Sequence, residues 1–214
     1  MRLLLIRHAE IPTNVDRRLE TAVPGPALTA TGRDQAAELA ERLGQEGISA
    51  VFHSPLARTG QTIAPFLERT GMRPEVLPGL AEIEAGDLEG HNSDAARADY
   101  HRALLDWVDG RIDTRVPGGP DGTEVLDRFD AAMDDVVRSG HDVVAVVSHG
   151  AVLRAWLGAR CDNLDRLFIE QHAIPNTGIV QIEHRAGQAP VWRCLSWLDE
   201  APDVDPLANY SKLQ

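Results

Sequence analysis

Apolar positions near the N-terminus form a solid block, Leu3-Leu4-Leu5-Ile6, which stops at once on Arg7, His8 and, two places on, Glu10. A short uniformly apolar run bounded by polar residues predicts a strand buried on both faces. The period then changes. Ala36, Leu39, Ala40 and Leu43 recur at helical spacing within TATGRDQAAELAERLGQEG, and Gly44 and Gly47 close the helix. Ala50 to His53 reads as a second strand. In SPLARTGQTIAPFLERTG the signals predict a helix with Ser54 as N-cap and Pro55 at its first position, ending near Gly71.

From about Gly79 to Gly122 this β-α-β-α rhythm breaks. LAEIEAGDLEGHNSD is turn-rich and acidic, Ala103, Leu104, Trp107 and Val108 mark a helix, and RVPGGPDG is a loop. Val125, Phe129, Met133 and Val136 mark another helix, and HDVVAVVSHG carries the strongest strand signal, again ending on His. Gly178 to Glu183 and Val191 to Trp197 read as final strands. Alternating strands and helices predict an α/β fold, a three-layer sandwich with a mostly parallel central sheet flanked by helices. At 214 residues one domain is expected, with an inserted helical and loop segment over one sheet edge at about 85–122 and a loosely held acidic tail at about 199–214.

Composition narrows the function classes. With 43% hydrophobic and 25% charged residues the chain is that of an ordinary globular protein. A net charge of −12 argues against nucleic acid and anionic membranes as partners, so any bound anion must be drawn by a local site. Lys212 is the only lysine; genomic base composition explains an Arg-rich chain, and Arg also suits bidentate oxyanion binding. Cys161 and Cys194 are too few and too far apart for a metal cluster or a disulfide framework, which predicts free thiols in a reduced, cytoplasmic setting. The apolar start is shorter than the ~7–15 residues of a secretory h-region, and no apolar run approaches ~18 residues, so neither export nor membrane spanning is expected. Association as a homodimer is left open.

In such sheets ligands bind outside the carboxyl ends of the strands, which puts Arg7-His8 and Ser148-His149 on one rim. If their strands are neighbours, the two imidazoles face each other across a crevice. Arg58 falls in the first turn of its helix and His149-Gly150 opens the helix after its strand, and helix N-termini favour anions. Two Arg, two His and two helix ends describe a site for a doubly charged oxyanion, with phosphate the obvious candidate.

Chemistry on a phosphate monoester needs a nucleophile and a proton for the leaving oxygen. Neutral imidazole can attack phosphorus, which makes His8 a candidate covalent catalyst. Glu82 is the candidate proton donor, since a bound phosphate dianion disfavours its ionised form; Glu84, Asp87 and Glu89 compete for that role. His53 abuts the start of the Arg58 helix and is a candidate for support from behind. His91, His101, His141, His172 and His184 show no partner arrangement and are expected at the surface or in packing, and Trp107 is expected to pack the inserted segment.

These motifs, in this order, resemble the histidine phosphatase superfamily, also called phosphoglycerate mutase-like, from the first strand to about Asn176-Thr177-Gly178. RHAE with Asn14 resembles its Arg-His-Gly signature and following Asn, LTATGRDQA its Leu-Thr-x-x-Gly-x-x-Gln-Ala helix start, and SPLARTGQT its Ser-Pro-x-x-Arg segment. LAEIEAGDLEG resembles its acid-bearing segment, PGGPDG its Pro-Gly-Gly loop and VVSHGAV its second-histidine strand. The resemblance implies that His8 is the phosphorylated nucleophile, that Arg7, Arg58, His149 and Asn14 hold the phosphoryl oxygens, and that Glu82 is the proton donor. It implies no metal and no cofactor, and a small phosphorylated substrate. Ala9 replaces the usual Gly and Ile11 the usual Thr; Ala9 is expected to reshape the phosphate pocket slightly, and Ile11 removes a hydroxyl from it.

Hydrolysis is the expected reaction. The nearest competitor is a mutase returning the phosphoryl group to a second hydroxyl, disfavoured because the acid-bearing stretch holds no Lys or Arg until Arg97. That acidic stretch also argues against highly charged substrates such as bisphosphates. A non-catalytic phosphate-binding relative is disfavoured because nucleophile and phosphate arginines are retained, and a metal-dependent hydrolase because no ligand cluster accompanies either histidine.

Overall fold

The computed structural model describes residues 1–187 and 191–202. In chain order the elements are β1 (Arg2–Arg7), α1 (Pro12–Val15), α2 (Ala30–Leu43), β2 (Ala50–His53), α3 (Ala57–Thr70), β3 (Glu75–Val76), α4 (Asp94–Val108), α5 (Gly122–Arg138), β4 (Val143–Ser148), α6 (Gly150–Arg160), α7 (Arg166–Gln171), β5 (Ile179–His184) and β6 (Trp192–Trp197). The strands form one six-stranded sheet in the order β3-β2-β4-β1-β5-β6. β1, β2, β3 and β4 are mutually parallel and β5 runs against them, so the α/β expectation holds with one reversed strand.

Side chains alternate across a strand, and the opening apolar block uses both faces. Leu3 and Leu5 join the larger core with α4, α5 and α6, whereas Leu4 and Ile6 join a second core with α2 and α3. Helices on both sides make the run apolar throughout, since neither face meets water. β1 and β4 are neighbours, paired from Arg2 with Val143 to Arg7 with Ser148. His8 and His149 therefore leave the sheet side by side, and the His8 amide donates to the Ser148 carbonyl at 3.0 Å.

The helix after β2 starts later than its sequence suggests. Its N-cap is Leu56 and Ala57 its first residue, because the Ser54 hydroxyl is turned toward His149; Gly71 ends it in the left-handed conformation at φ 70°. The inserted segment is more regular than expected, with 3-10 turns at Pro78–Leu80 and Gly86–Leu88 and a four-turn α4 capped by Ser93 and packed on α6 and α7. Trp107 packs there, its indole N–H donating to the Thr114 carbonyl at 2.7 Å. The short elements β3, α1 and α7 carry too few residues to show a period. Cys161 and Cys194 are free and buried, and burial pushes the Cys194 thiol up to about 12. The acidic tail predicted at 199–214 lies, from residue 203 onward, outside the described residues. Among the described residues no helix is long and apolar enough to cross a membrane.

Candidate active site

A cavity of about 380 Å³ opens at the carboxyl ends of β1 and β4. Arg7, His8, Asn14, Arg58 and Glu82 line it, five residues singled out from sequence and drawn from four separate segments. The loop after β1 delivers His8, and the sequence motifs prove to be the clamps on that loop. Thr62 accepts from the Ala9 amide at 2.8 Å, Gln35 from the Glu10 amide at 2.9 Å, and the Glu10 carbonyl from the Thr29 amide at 3.0 Å. Gly32 is required because a Cβ there would lie 2.2 Å from the Glu10 carbonyl oxygen. Asn176 donates its amide to the His8 carbonyl at 2.9 Å, closing the clamp from the other side.

The His8 ring is 3% exposed. Its Nδ1 lies 2.7 Å from the Ala9 carbonyl, and a carbonyl can only accept, so Nδ1 carries the proton and Nε2 the lone pair. Burial, then the charges of Arg58 and Arg7, hold its pKa well below the usual imidazole range, so the ring is a neutral nucleophile at physiological pH. His149, fully buried, stands with its ring centroid 5.3 Å from that of His8. Its Nδ1 accepts from Arg58 Nε at 3.2 Å, which leaves Nε2–H to donate to the Ser54 hydroxyl at 2.7 Å. Both ring nitrogens are thus engaged, and His149 supports Arg58 from behind the cavity wall. Burial and the neighbouring Arg58 push its pKa well down.

Two buried neutral histidines make a statement about stability. The unfolded chain takes up protons on both below about pH 6.5, and the folded one does not until much lower pH. Folding stability is therefore present above pH 6.5 and lost as pH falls, at up to about 1.4 kcal/mol per pH unit for each histidine. Urea midpoints between pH 7.5 and 5.5 should fall accordingly, with a shallower slope in His149→Asn; an unchanged slope in that variant would remove His149 from the account.

Arg58 is 1% exposed, its Nη2 donating to the Glu20 carbonyl at 3.1 Å and its Nη1 buried without a hydrogen-bond partner among the described residues. Arg7 lies over the start of α6, where a Cβ on Gly150 would come within 3.1 Å of its Nε, and donates from Nη1 to the Ile174 carbonyl at 2.7 Å. Arg7 Nε likewise has no partner among the described residues. Asn14 accepts at Oδ1 from the Ile11 amide at 3.2 Å and from Asn176 at 3.1 Å, which leaves its NH2 to donate into the cavity.

Of the four acidic residues competing as proton donor, only Glu82 lines the cavity. Glu89 accepts from the Thr21 amide at 2.8 Å, Asp87 packs against Gly118, and Glu84 faces a separate depression with Arg115 and Arg128. Glu82 accepts from the Val152, Ala151 and Ile83 amides at 2.8, 3.2 and 3.0 Å. The amides opening α6, expected from sequence to meet the bound anion, hold the acid instead. Arg128 of α5 fixes the same segment by donating to the Gly79, Ala81 and Glu82 carbonyls at 3.0, 2.9 and 3.2 Å.

Two further corrections concern the surroundings. Ala9 does not line the cavity: it is fully buried in a small apolar cluster with Ile11, Leu28 and Ala36, whereas Ile11 also lines the cavity. His101, expected at the surface or in packing, lines the cavity, as do Arg97 and Arg154. His53, a candidate for support from behind, lies outside the cavity and donates from Nδ1 to the carbonyl of Ser54, whose hydroxyl contacts His149, at 2.7 Å. Helical spacing offered a signal for Arg97 and His101, four residues apart; Arg154, Arg128, Ser54 and Asn176 had none in the sequence taken alone.

A family model described as histidine phosphatase superfamily (branch 1) matches residues 3–200. The chain is 30% identical over 210 residues to a probable phosphoglycerate mutase, GpmB, of Serratia proteamaculans, covering 97% of this chain and 95% of that protein. It is 31% identical over 208 residues to a PE-PGRS family protein of Mycobacterium tuberculosis, covering 90% of this chain and 35% of that longer protein. A solved mycobacterial glucosyl-3-phosphoglycerate phosphatase superposes with a TM-score of 0.75 at 26% identity, covering 92% of this chain and 98% of the other. The Shigella flexneri alpha-ribazole phosphatase shares the fold, with a TM-score of 0.73 at 23% identity over 96% of this chain and 100% of the other. By these matches over nearly the whole described length, the chain belongs to the histidine phosphatase superfamily, branch 1.

Proposed function

We propose that the protein is a phosphomonoesterase that hydrolyses a small phosphorylated metabolite through a phosphohistidine on His8. One observation carries this reading: His8, neutral and with its Nε2 lone pair free, shares a cavity with the guanidiniums of Arg7 and Arg58 and the carboxylate of Glu82. Nε2 bonds to phosphorus as the ester P–O bond breaks, and the departing oxygen takes its electron pair and a proton from Glu82. The alcohol leaves. Glu82, now a carboxylate, takes a proton from water as the water oxygen attacks phosphorus; the P–N bond breaks, its pair returns to Nε2, and phosphate departs.

Arg7 and Arg58, with the Asn14 amide, offer preorganised donors for the charge on the transferring phosphoryl group, and His149 positions Arg58. The guanidiniums supply the positive charge, so turnover is expected to survive a chelator. Release of nitrophenol and phosphate from p-nitrophenyl phosphate in its presence is the test; absence of turnover, or its loss to chelator, counts against the reading. Glu82→Gln is expected to slow alkyl phosphates by about 10²-fold or more and nitrophenyl phosphate by less than about tenfold, since nitrophenolate leaves without a proton. Equal losses would move the acid role elsewhere. Buried free thiols at Cys161 and Cys194 support a cytoplasmic setting.

A second reading, a mutase, draws support from the GpmB relatives and from the cavity itself. The acid-bearing stretch holds no basic residue before Arg97, yet Arg97 and Arg154 both line the cavity. Solved neighbours described as phosphatases favour hydrolysis. Incubation with 3-phosphoglycerate separates the two readings: hydrolysis releases phosphate, and a mutase accumulates the 2-phospho isomer.

A further inference from the structure

The acid-bearing segment has no regular structure of its own between the 3-10 turn ending at Leu80 and the one beginning at Gly86. What holds it is a run of main-chain carbonyls. Arg128 Nη1 donates to the carbonyls of Gly79 and Ala81 at 3.0 and 2.9 Å and its Nη2 to that of Glu82 at 3.2 Å, while the Ser148 hydroxyl donates to the Leu80 carbonyl at 2.8 Å. Successive carbonyls from Gly79 to Glu82 are thus fixed by two side chains, one from α5 and one from the end of β4. Gly79 lets the segment lie this close, since a Cβ there would come within 2.6 Å of the Arg128 carbonyl oxygen.

These bonds act on direction. Leu80 and Ile83 are buried and the Tyr100 hydroxyl donates to the Ile83 carbonyl at 2.7 Å, so packing on either side sets how deep the segment lies. Among the described residues Arg128 alone donates to the Ala81 and Glu82 carbonyls. The two planar peptide units carrying those carbonyls flank the Glu82 Cα, so their orientation fixes the Cα–Cβ bond and the direction in which the side chain leaves. At the far end of that side chain, Oε1 accepts from the Val152 and Ile83 amides, whereas Oε2 accepts, among the described residues, from the Ala151 amide alone, at 3.2 Å. Oε2 is the oxygen with room for a proton.

We propose that Arg128 is a positioning residue for proton transfer, fixing the two peptide units about Glu82 so that Oε2 meets the leaving oxygen in the cavity. The inference rests on the reading of Glu82 as the proton donor. Arg128 acts through Glu82 and not on the substrate, since it is absent from the cavity lining and lines instead the separate depression with Glu84 and Arg115. A lysine there keeps the positive charge and the aliphatic stem, yet one ammonium does not span the three carbonyls that a planar fork reaches. A misplacement of about 1 Å at a reacting group costs on the order of 10²-fold, and only the step that needs the proton feels this one.

Phenyl phosphate and p-nitrophenyl phosphate are similar in shape and differ in how much the leaving oxygen needs a proton, and kcat/KM reports the step that forms the phosphoenzyme. Arg128→Lys is expected to lower kcat/KM for phenyl phosphate by about 30-fold or more and for the nitrophenyl ester by less than about fivefold. In the Glu82→Gln background the same substitution should leave the ratio of the two values within about twofold, because the group that Arg128 positions is gone. Equal losses on both esters, or a ratio that falls again in the Glu82→Gln background, overturns the positioning role and leaves Arg128 a residue of the fold alone. Circular dichroism and the thermal midpoint check folding, and Arg128→Gln, measured by the same ratio, replaces a lysine variant that does not fold. The proton-donor reading fails separately, if Glu82→Gln by itself slows both esters equally.

Discussion

Replacing His8 by Asn is expected to lower turnover of p-nitrophenyl phosphate by at least about 10⁴-fold, the scale on which loss of a nucleophile acts in enzymes with covalent intermediates. The fold should survive, because the contacts that position His8 are made by its backbone. The His8 amide donates to Ser148, its carbonyl accepts from Asn176, and the neighbouring Ala9 amide is held by Thr62. Removing an imidazole flanked by two guanidiniums relieves no repulsion, since the ring is neutral, so the thermal midpoint should move little. Acid-quenched reactions with radiolabelled ester should show acid-labile phosphoenzyme in the unmodified protein and none in the variant. Retained turnover within about tenfold, or a phosphoenzyme in His8→Asn, would place the covalent step elsewhere.

Arg58→Lys is expected to cost about 10³-fold in kcat although it keeps the charge, within the range for removing a group that stabilises charge on a transferring phosphoryl. The guanidinium does two things from one buried position at the cavity: Nε donates to His149 and Nη2 to the Glu20 carbonyl. A single ammonium cannot reproduce that planar fork, and it leaves His149 Nδ1 without its donor. Phosphoenzyme formation in a rapid-quench experiment should slow in parallel with steady-state turnover. A Lys variant within fivefold of the unmodified enzyme would mean that charge alone is what the site takes from Arg58.

What was legible in the sequence was what is local. The abrupt end of an apolar block at Arg7-His8, repeated at Ser148-His149, located the rim, and Ala36, Leu39, Ala40 and Leu43 located α2. That the two histidines would be adjacent depended on strand order, which a single chain does not state; the β1–β4 pairing supplied it. Ser54 was misread because capping preference is a statement about an isolated helix, and here a buried imidazole 2.7 Å away competes for the hydroxyl. Of the two departures beside the nucleophile, Ile11 lines the cavity and Ala9 does not, since successive residues in an extended loop point to opposite sides. Arg97 and Arg154 lie far apart in sequence and reach one cavity only through the packing of α4 on α6, which local spacing does not state.

One contact described above ties the chemistry to the motion of a helix. The Ala151 and Val152 amides are bound to the same carboxylate that, in the proposed mechanism, carries a proton in one half of the cycle and loses it in the other. A charged acceptor holds such amides more strongly than a neutral one. On that mechanism the first turn of α6 is expected to tighten and loosen once per turnover, and the exchange rates of those two amide hydrogens with solvent are the measurement that follows the protonation of Glu82.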